Sequence, residues 1–155
     1  MTKAVILEDD LLASMALSQL LQEEGFEVRT FARTDDAHAS CIADIPDILI
    51  ADWCVPGSFS SAELVESLQR LKPNLRVMFV SGYESNELRA LVESHSRVEC
   101  LSKPIHFERF LSDLKSHLAA QPADSCLTNA LLSDVMQACR SVTNVIQERI
   151  LLEVL

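Results

Sequence analysis

Apolar residues in this chain recur in five short runs of four to six residues, separated by longer amphipathic stretches. An unbroken apolar run such as residues 48–51 is typical of a strand that is buried on both faces. The second run alternates apolar and polar residues, which indicates a strand nearer the edge of a sheet. The predicted strands are 3–7, 26–31, 48–52, 76–80 and 98–101.

Amphipathic segments fill the intervals between these runs. The predicted helices are 11–24, 34–42, 60–71, 85–93 and 107–119. Ser60 and Glu63 have the spacing of a capping box, and Gly25 is predicted to end the first helix. Five strands that alternate with five helices predict an α/β fold, with a parallel sheet covered by helices on both sides.

Two helices have apolar faces that predict how they pack. In the first helix, the residues at helical spacing are Leu12, Met15, Ala16, Gln19 and Leu20. In the fifth helix, the apolar face consists of Phe107, Phe110, Leu111, Leu114 and Leu118. We expect both faces to cover the sheet.

The C-terminal part of the chain departs from the alternating pattern. Residues 121–126 are predicted to be a linker, and residues 127–155 a helix with an apolar seam. This helix either packs back on the preceding domain or serves as a dimerisation or partner helix, and the second interpretation is favoured. Because the apolar pattern runs to the last residue, the segment is alternatively the start of a longer output region.

Composition narrows the classes of function. The chain has 155 residues, of which 48% are apolar, and its formal net charge is −10. This acidic balance argues against binding of nucleic acid or an anionic membrane.

No apolar run is long enough to span a bilayer and the first residues do not resemble a signal peptide, so we expect a cytoplasmic protein. The five cysteines form no Cys-x-x-Cys pair, so most are expected to be reduced, and none of the four histidines is predicted to bind metal.

Polar residues follow four of the predicted strands: Glu8 with Asp9, Asp52, Ser81 and Lys103. In a parallel sheet these strand ends lie at one edge, where α/β proteins bind ligands. Clustered carboxylates favour a hard divalent cation such as Mg²⁺, and Asp52 can then act as a nucleophile toward a phosphoryl group. The simplest alternative for Asp52 alone is that it begins a loop.

Four motifs in this order resemble the receiver domain of bacterial response regulators. They are Val5-Ile-Leu-Glu-Asp9, the Pro-Asp-(x)4-Asp-(x)3-Pro-Gly run over 46–57, Val80-Ser-Gly82 and Leu101-Ser-Lys-Pro104. The resemblance covers about residues 3–119 and implies a receiver domain over residues 1–120. It also implies the flavodoxin-like fold, a doubly wound five-stranded sheet with strand order 2-1-3-4-5.

The resemblance implies a role for each residue at the strand ends. Asp52 matches the acceptor of a phosphoryl group from a histidine kinase or a phosphotransfer protein. Asp9 and Glu8 match the pair that binds Mg²⁺ or Mn²⁺, with the backbone carbonyl of Cys54 as a further ligand. Ser81 matches the switch hydroxyl, and Lys103 the lysine that contacts the phosphoryl group. Asp10, one place beyond the pair, is interpreted as an acid that starts a helix.

The chain departs from the family pattern near the predicted site. Cys100 stands where the family often has a switch aromatic, and Gly82 where alanine is common. The turn at 58–61 is one residue longer than usual. Cys54 and Tyr83 occupy two places that tune the lifetime of the phosphoryl group in this family.

Three functions are compatible with these residues. The favoured one is a phosphorylation-dependent signalling switch that catalyses only its own phosphorylation and dephosphorylation. The second is a receiver that acts as an interaction or dimerisation module without phosphorylation. The third is a phosphatase with an aspartyl nucleophile, which would want a second carboxylate where this chain has Cys54.

Overall fold

The computed structural model describes residues 1–119, in which strands and helices alternate throughout. The strands are β1 (Lys3–Leu7), β2 (Glu27–Phe31), β3 (Ile48–Asp52), β4 (Arg76–Ser81) and β5 (Val98–Ser102). The helices are α1 (Leu11–Glu23), α2 (Thr34–Ala43), α3 (Ser61–Leu71), α4 (Asn86–Ser94) and α5 (Phe107–Ala119). All ten predicted elements are confirmed, and no boundary differs by more than one residue.

The five strands form one parallel sheet in the order β2-β1-β3-β4-β5, which confirms the predicted flavodoxin-like fold. This order places β3 at the centre of the sheet, where Leu7 pairs with Ala51 and Asp52 pairs with Val80. The strand with alternating polarity, β2, lies at the edge as expected. The end of β3 therefore lies between the ends of β1 and β4.

Apolar side chains form two cores, one on each face of the sheet. Val5 and Leu49 belong to the core on the side of α2, α3 and α4. Ile6 and Ile50 belong to the core on the side of α1 and α5. Because successive residues of a strand point to opposite faces, an unbroken apolar run serves both cores.

The predicted apolar face of α1 is wrong in part. Leu12 and Met15 are 77% and 60% exposed, whereas Ser14, Leu17 and Leu21 form the buried stripe. This leucine-rich helix has two sets of residues at helical spacing, and either set could face the sheet. Hydrophobicity alone favours the set with more large apolar residues.

The face of α5 is confirmed for its central residues and wrong for its first. Phe110 and Leu114 are buried and Leu111 and Leu118 pack against the same core, but Phe107 is 46% exposed at the start of the helix.

The two predicted helix-end signals are confirmed. The capping box of Ser60 and Glu63 is present, and Gly25 follows α1 with a φ of 86°, a conformation that favours glycine.

The predicted linker at 121–126 and helix at 127–155 lie outside the described residues. Within residues 1–119, no helix has the length and apolar character that crossing a bilayer requires. Cys41, Cys54 and Cys100 are free thiols, as expected from their spacing.

Candidate functional site

Three carboxylates meet where β1 and β3 end. Glu8 and Asp9 directly follow β1, and Asp52 is the last residue of β3. One oxygen from each of the three lies within 4.8 Å of the others. Glu8 is buried, the side chain of Asp52 is 13% exposed, and Asp9 faces solvent. Hard oxygen donors at this spacing fit Mg²⁺, which prefers one or two carboxylates and keeps several waters.

Lys103 lies directly after β5 and reaches this cluster. Its Nζ is 2.6 Å from Oδ2 of Asp52 and 3.0 Å from Oε2 of Glu8. Its backbone N–H donates to the carbonyl of Ser81 at 2.7 Å, which fixes the start of the segment that follows β5. Partial burial disfavours the charged form, but the hydrogen bonds to Asp52 and Glu8 outweigh it and raise the pKa of Lys103. The lysine is therefore charged at neutral pH.

Several hydrogen bonds fix the position of Asp52. The backbone N–H of Cys54 donates to Oδ1 of Asp52 at 3.0 Å, and the hydroxyl of Ser61 donates to its carbonyl at 2.8 Å. The next residue, Trp53, donates its N–H to the carbonyl of Val80 at 3.1 Å. The carboxylate is thus held by its own loop and by the neighbouring strand.

Ser81 lies at the end of β4, but its hydroxyl is engaged away from the carboxylates. Its side chain is buried and donates to the carbonyl of Tyr83 at 2.6 Å. The backbone N–H of Tyr83 donates back to the same hydroxyl at 3.3 Å. The structure thus brings together Glu8, Asp9, Asp52 and Lys103, while the Ser81 hydroxyl is bonded to its own loop.

The side chains of Cys54 and Tyr83 join the loops that follow β3 and β4. The thiol sulfur of Cys54 lies 3.4 Å from the phenol oxygen of Tyr83. Both residues are exposed, and the hydrogen bond with Cys54 raises the pKa of Tyr83. The sequence analysis singled out both residues but missed this contact, because residues that are 29 positions apart carry no local signal of it.

Asp10 starts α1, as predicted. Its Oδ1 accepts hydrogen bonds from the backbone N–H groups of Leu12 at 2.9 Å and Ala13 at 3.0 Å. Its own N–H donates to Oε1 of Glu8 at 3.1 Å. Asp10 is therefore the N-cap of the helix and also helps to orient the buried carboxylate of Glu8.

Cys100 lies in the middle of β5, next to a cavity of about 430 Å³. Glu84, Pro104 and Arg109 line this cavity together with Cys100. Burial raises the pKa of the Cys100 thiol. A small thiol thus occupies the place where the family often has an aromatic ring.

The fold agrees with the comparisons to known proteins. The family model of the response regulator receiver domain matches residues 4–115. The chain is 31% identical over 120 residues to the phosphate regulon transcriptional regulatory protein PhoB of Rhizobium meliloti, covering 75% of this chain and 52% of that protein. It is 23% identical to the response regulator receiver protein CpdR of Brucella abortus, covering 77% of this chain and 99% of that protein.

A solved structure supports the fold independently. The CheY-like response regulator receiver domain protein of Methanospirillum hungatei superimposes with a TM-score of 0.71 at 24% identity, covering 77% of this chain and 94% of that chain. The chain belongs to the response regulator receiver domain family, whose members are signalling switches of two-component systems. It spans about half the length of PhoB and of nodulation protein W of Bradyrhizobium diazoefficiens, with 52% and 49% coverage.

Proposed function

We propose that this chain accepts a phosphoryl group on Asp52 from a histidine kinase or a phosphotransfer protein. The observation that carries the proposal is the contact between Asp52 and Lys103 within the carboxylate cluster, at 2.6 Å. A carboxylate oxygen of Asp52 attacks the phosphorus of a phosphohistidine, and the P–N bond breaks as its electron pair leaves with the imidazole. The product is an acyl phosphate on Asp52.

The chain's own residues have distinct roles in this proposal. The cation, Mg²⁺ or Mn²⁺, would be held by Asp9, Glu8, Asp52 and the backbone carbonyl of Cys54. When bound, it would neutralise the carboxylates and supply positive charge to the phosphoryl group. Lys103 places its ammonium against a further phosphoryl oxygen, where charge develops in the transition state.

Ser81 supplies the conformational response. Its hydroxyl gives up the carbonyl of Tyr83, which it contacts at 2.6 Å, and donates to the phosphoryl oxygen instead. This exchange moves the loop after β4 and changes the surface formed by α4, β5 and α5. Phosphorylation thereby shifts a two-state equilibrium and alters which proteins this surface binds.

The proposal also includes the predictions that concern the chain as a whole. Residues 1–120 form the receiver domain, 121–126 a linker and 127–155 a helix that joins two copies of the chain. The acidic net charge of −10 supports the absence of direct binding to nucleic acid or to an anionic membrane. A cytoplasmic location accords with phosphorylation by a histidine kinase.

Intact mass spectrometry after incubation with acetyl phosphate and Mg²⁺ tests the acceptor. We expect one added phosphoryl group in the wild type, loss of the adduct in Asp52→Asn, and no adduct when the cation is chelated. Asp36→Asn is the matched control, because it neutralises an exposed acid in the first turn of α2, outside the carboxylate cluster. This variant is expected to form the adduct normally.

The alternatives give different results in the same experiment. A folded wild-type protein that forms no adduct and releases no phosphate would favour an interaction module that works without phosphorylation. Rapid phosphate release that requires Asp52, without an adduct, would favour an aspartyl phosphatase. An adduct that persists in Asp52→Asn would place the acceptor elsewhere.

A further inference from the structure

The loop between β3 and α3, residues 53–60, is fastened to the start of α2. Thr34, the first residue of α2, donates its backbone N–H to the carbonyl of Pro56 at 3.1 Å. Its hydroxyl donates to the carbonyl of Phe59 at 2.8 Å. Thr34 is fully buried, so these two bonds form away from solvent. One residue of α2 therefore holds both halves of the loop.

The next residue of α2 adds a third attachment. The backbone N–H of Ser58 donates to the carboxylate of Asp35, at 3.1 Å from Oδ2 and 3.3 Å from Oδ1. Hydrogen bonding with Ser58 lowers the pKa of Asp35, so the carboxylate remains ionised at neutral pH. We call Thr34 and Asp35 together the α2 clamp.

Gly57 allows the loop to approach the clamp. A Cβ atom at this position would lie 1.7 Å from Oγ1 and 2.9 Å from Cβ of Thr34. Real Cβ atoms do not approach other atoms so closely, and here the obstacle is a buried side chain. Any other residue at position 57 would therefore push the loop away from α2.

The two ends of the same loop are attached to Asp52. The N–H of Cys54 donates to Oδ1 of Asp52 at 3.0 Å, and Ser61, directly after the loop, donates to its carbonyl at 2.8 Å. Attachments at both ends and in the middle leave the backbone near Cys54 little freedom. A ligand that is already held in place loses little conformational entropy when a cation binds.

We propose that Thr34 and Asp35 are positioning residues for the metal site, because they hold the loop that carries the Cys54 carbonyl. This inference rests on the proposed function, in which that carbonyl is a ligand of Mg²⁺. The clamp contacts neither the carboxylates nor the cation in this proposal. It acts by keeping the β3–α3 loop in the conformation that binds the metal.

Mg²⁺ titration of the full chain tests the clamp, with the fluorescence of the single tryptophan, Trp53, as the signal. We expect Asp35→Ala to raise the Kd for Mg²⁺ roughly two- to tenfold, the range that the loss of one hydrogen bond gives. Asp36→Ala is the matched control, since it also removes an acid from the first turn of α2. Its Kd should stay within about twofold of the wild type.

Thr34 is tested by a pair of variants. Thr34→Val keeps the shape but removes the hydroxyl that bonds to Phe59, and we expect its Kd to rise by a similar factor of roughly two to ten. Thr34→Ser keeps the hydroxyl and should restore binding. Cys41→Ala removes a buried side chain elsewhere on α2 and serves as the control for lost stability, with an unchanged Kd.

Amide hydrogen exchange in the protein without Mg²⁺ gives a second measurement. The amide of Ser58 should exchange faster in Asp35→Ala than in Asp36→Ala or the wild type. An unchanged Kd in both Asp35→Ala and Thr34→Val, in a protein that forms the acetyl phosphate adduct, would overturn the positioning role alone. A wild type that neither binds Mg²⁺ nor forms the adduct would instead overturn the proposed function.

Discussion

Lys103 bridges Asp52 and Glu8, with its Nζ 2.6 Å from a carboxylate oxygen of the first and 3.0 Å from one of the second. The ammonium therefore occupies the space between two of the three acids that are proposed to bind a cation. Because like charges at such distances repel, Lys103 and the metal compete for the same carboxylates. In the proposed function, Lys103 therefore opposes metal binding while it favours phosphoryl transfer.

Lys103→Met tests these two opposite effects. We expect Mg²⁺ to bind roughly two- to tenfold more tightly, because the competing cation is gone. The rate of phosphorylation by acetyl phosphate should fall about a hundredfold, because a charge that stabilises the transition state is lost. Lys115→Met, which removes a lysine paired with Glu24 on the surface, should change neither quantity. Equal losses in metal binding and rate would contradict the competition.

The same ion pair predicts how stability depends on pH. The raised pKa of Lys103 means that its stabilising contribution is fully present below the ordinary lysine value of 10.5 and is lost as the pH rises through the folded-state value. The difference in unfolding free energy between the wild type and Lys103→Met should therefore be constant between about pH 7 and pH 9. Urea unfolding measures it, and a steep change within that interval would refute the assignment.

The contact between Cys54 and Tyr83 is expected to affect the lifetime of the phosphoryl group. Their side chains lie 3.4 Å apart beside Asp52, where we expect them to hinder the approach of water to the proposed acyl phosphate. Cys54→Ala and Tyr83→Phe should each change the dephosphorylation rate, with faster loss expected roughly two- to tenfold. Because both side chains are exposed, the Tm should change little. Unchanged lifetimes in both variants would refute the prediction.

Cys41 and Cys54 should differ in their reaction with iodoacetamide. Cys41 is buried in the core beside α2, and burial raises its pKa to about 11, so few thiolates are present at pH 8. Cys54 is exposed. Peptide mapping after brief alkylation at pH 8 should find Cys54 modified and Cys41 unmodified until the protein is unfolded. Modification of Cys41 in the native protein at a similar rate would contradict its burial.

The C-terminal segment, residues 127–155, remains a prediction from the sequence. If it forms a dimerisation helix, sedimentation of the full chain at high concentration should show a species of twice the mass of 17.2 kDa. The share of this species should rise with concentration, as mass action requires. A monomer at every concentration would rule the interface out.

The elements and their order could be predicted because a buried parallel strand shows a short, nearly unbroken apolar run in the sequence, as in residues 48–52. It also predicted that Glu8, Asp9, Asp52 and Lys103 meet, since parallel strands end at one edge. It did not predict that the Ser81 hydroxyl bonds to Tyr83, because rotamers of small side chains depend on local geometry.

The attachment of the β3–α3 loop to Thr34 was missed for another reason. The predicted helix 34–42 begins at Thr34, as the structure confirms, but the sequence holds no sign that this helix start contacts the loop around Gly57. The contact that joins them spans more than twenty positions along the chain and matches no periodic pattern. Such contacts arise from tertiary packing, which overrides what a local pattern indicates.

The exposed face of α1 has a consequence for recognition by a protein donor. Leu12 and Met15 are exposed on the helix that begins just after the carboxylate cluster. If Asp52 is the acceptor as proposed, a partner that brings phosphohistidine to it would meet these two side chains. Acetyl phosphate is too small to need this face. In the proposed function, recruitment and chemistry are then carried by separate surfaces, the exposed face of one helix and the end of one strand. Substitutions on the helix face would alter the choice of kinase without altering the reaction.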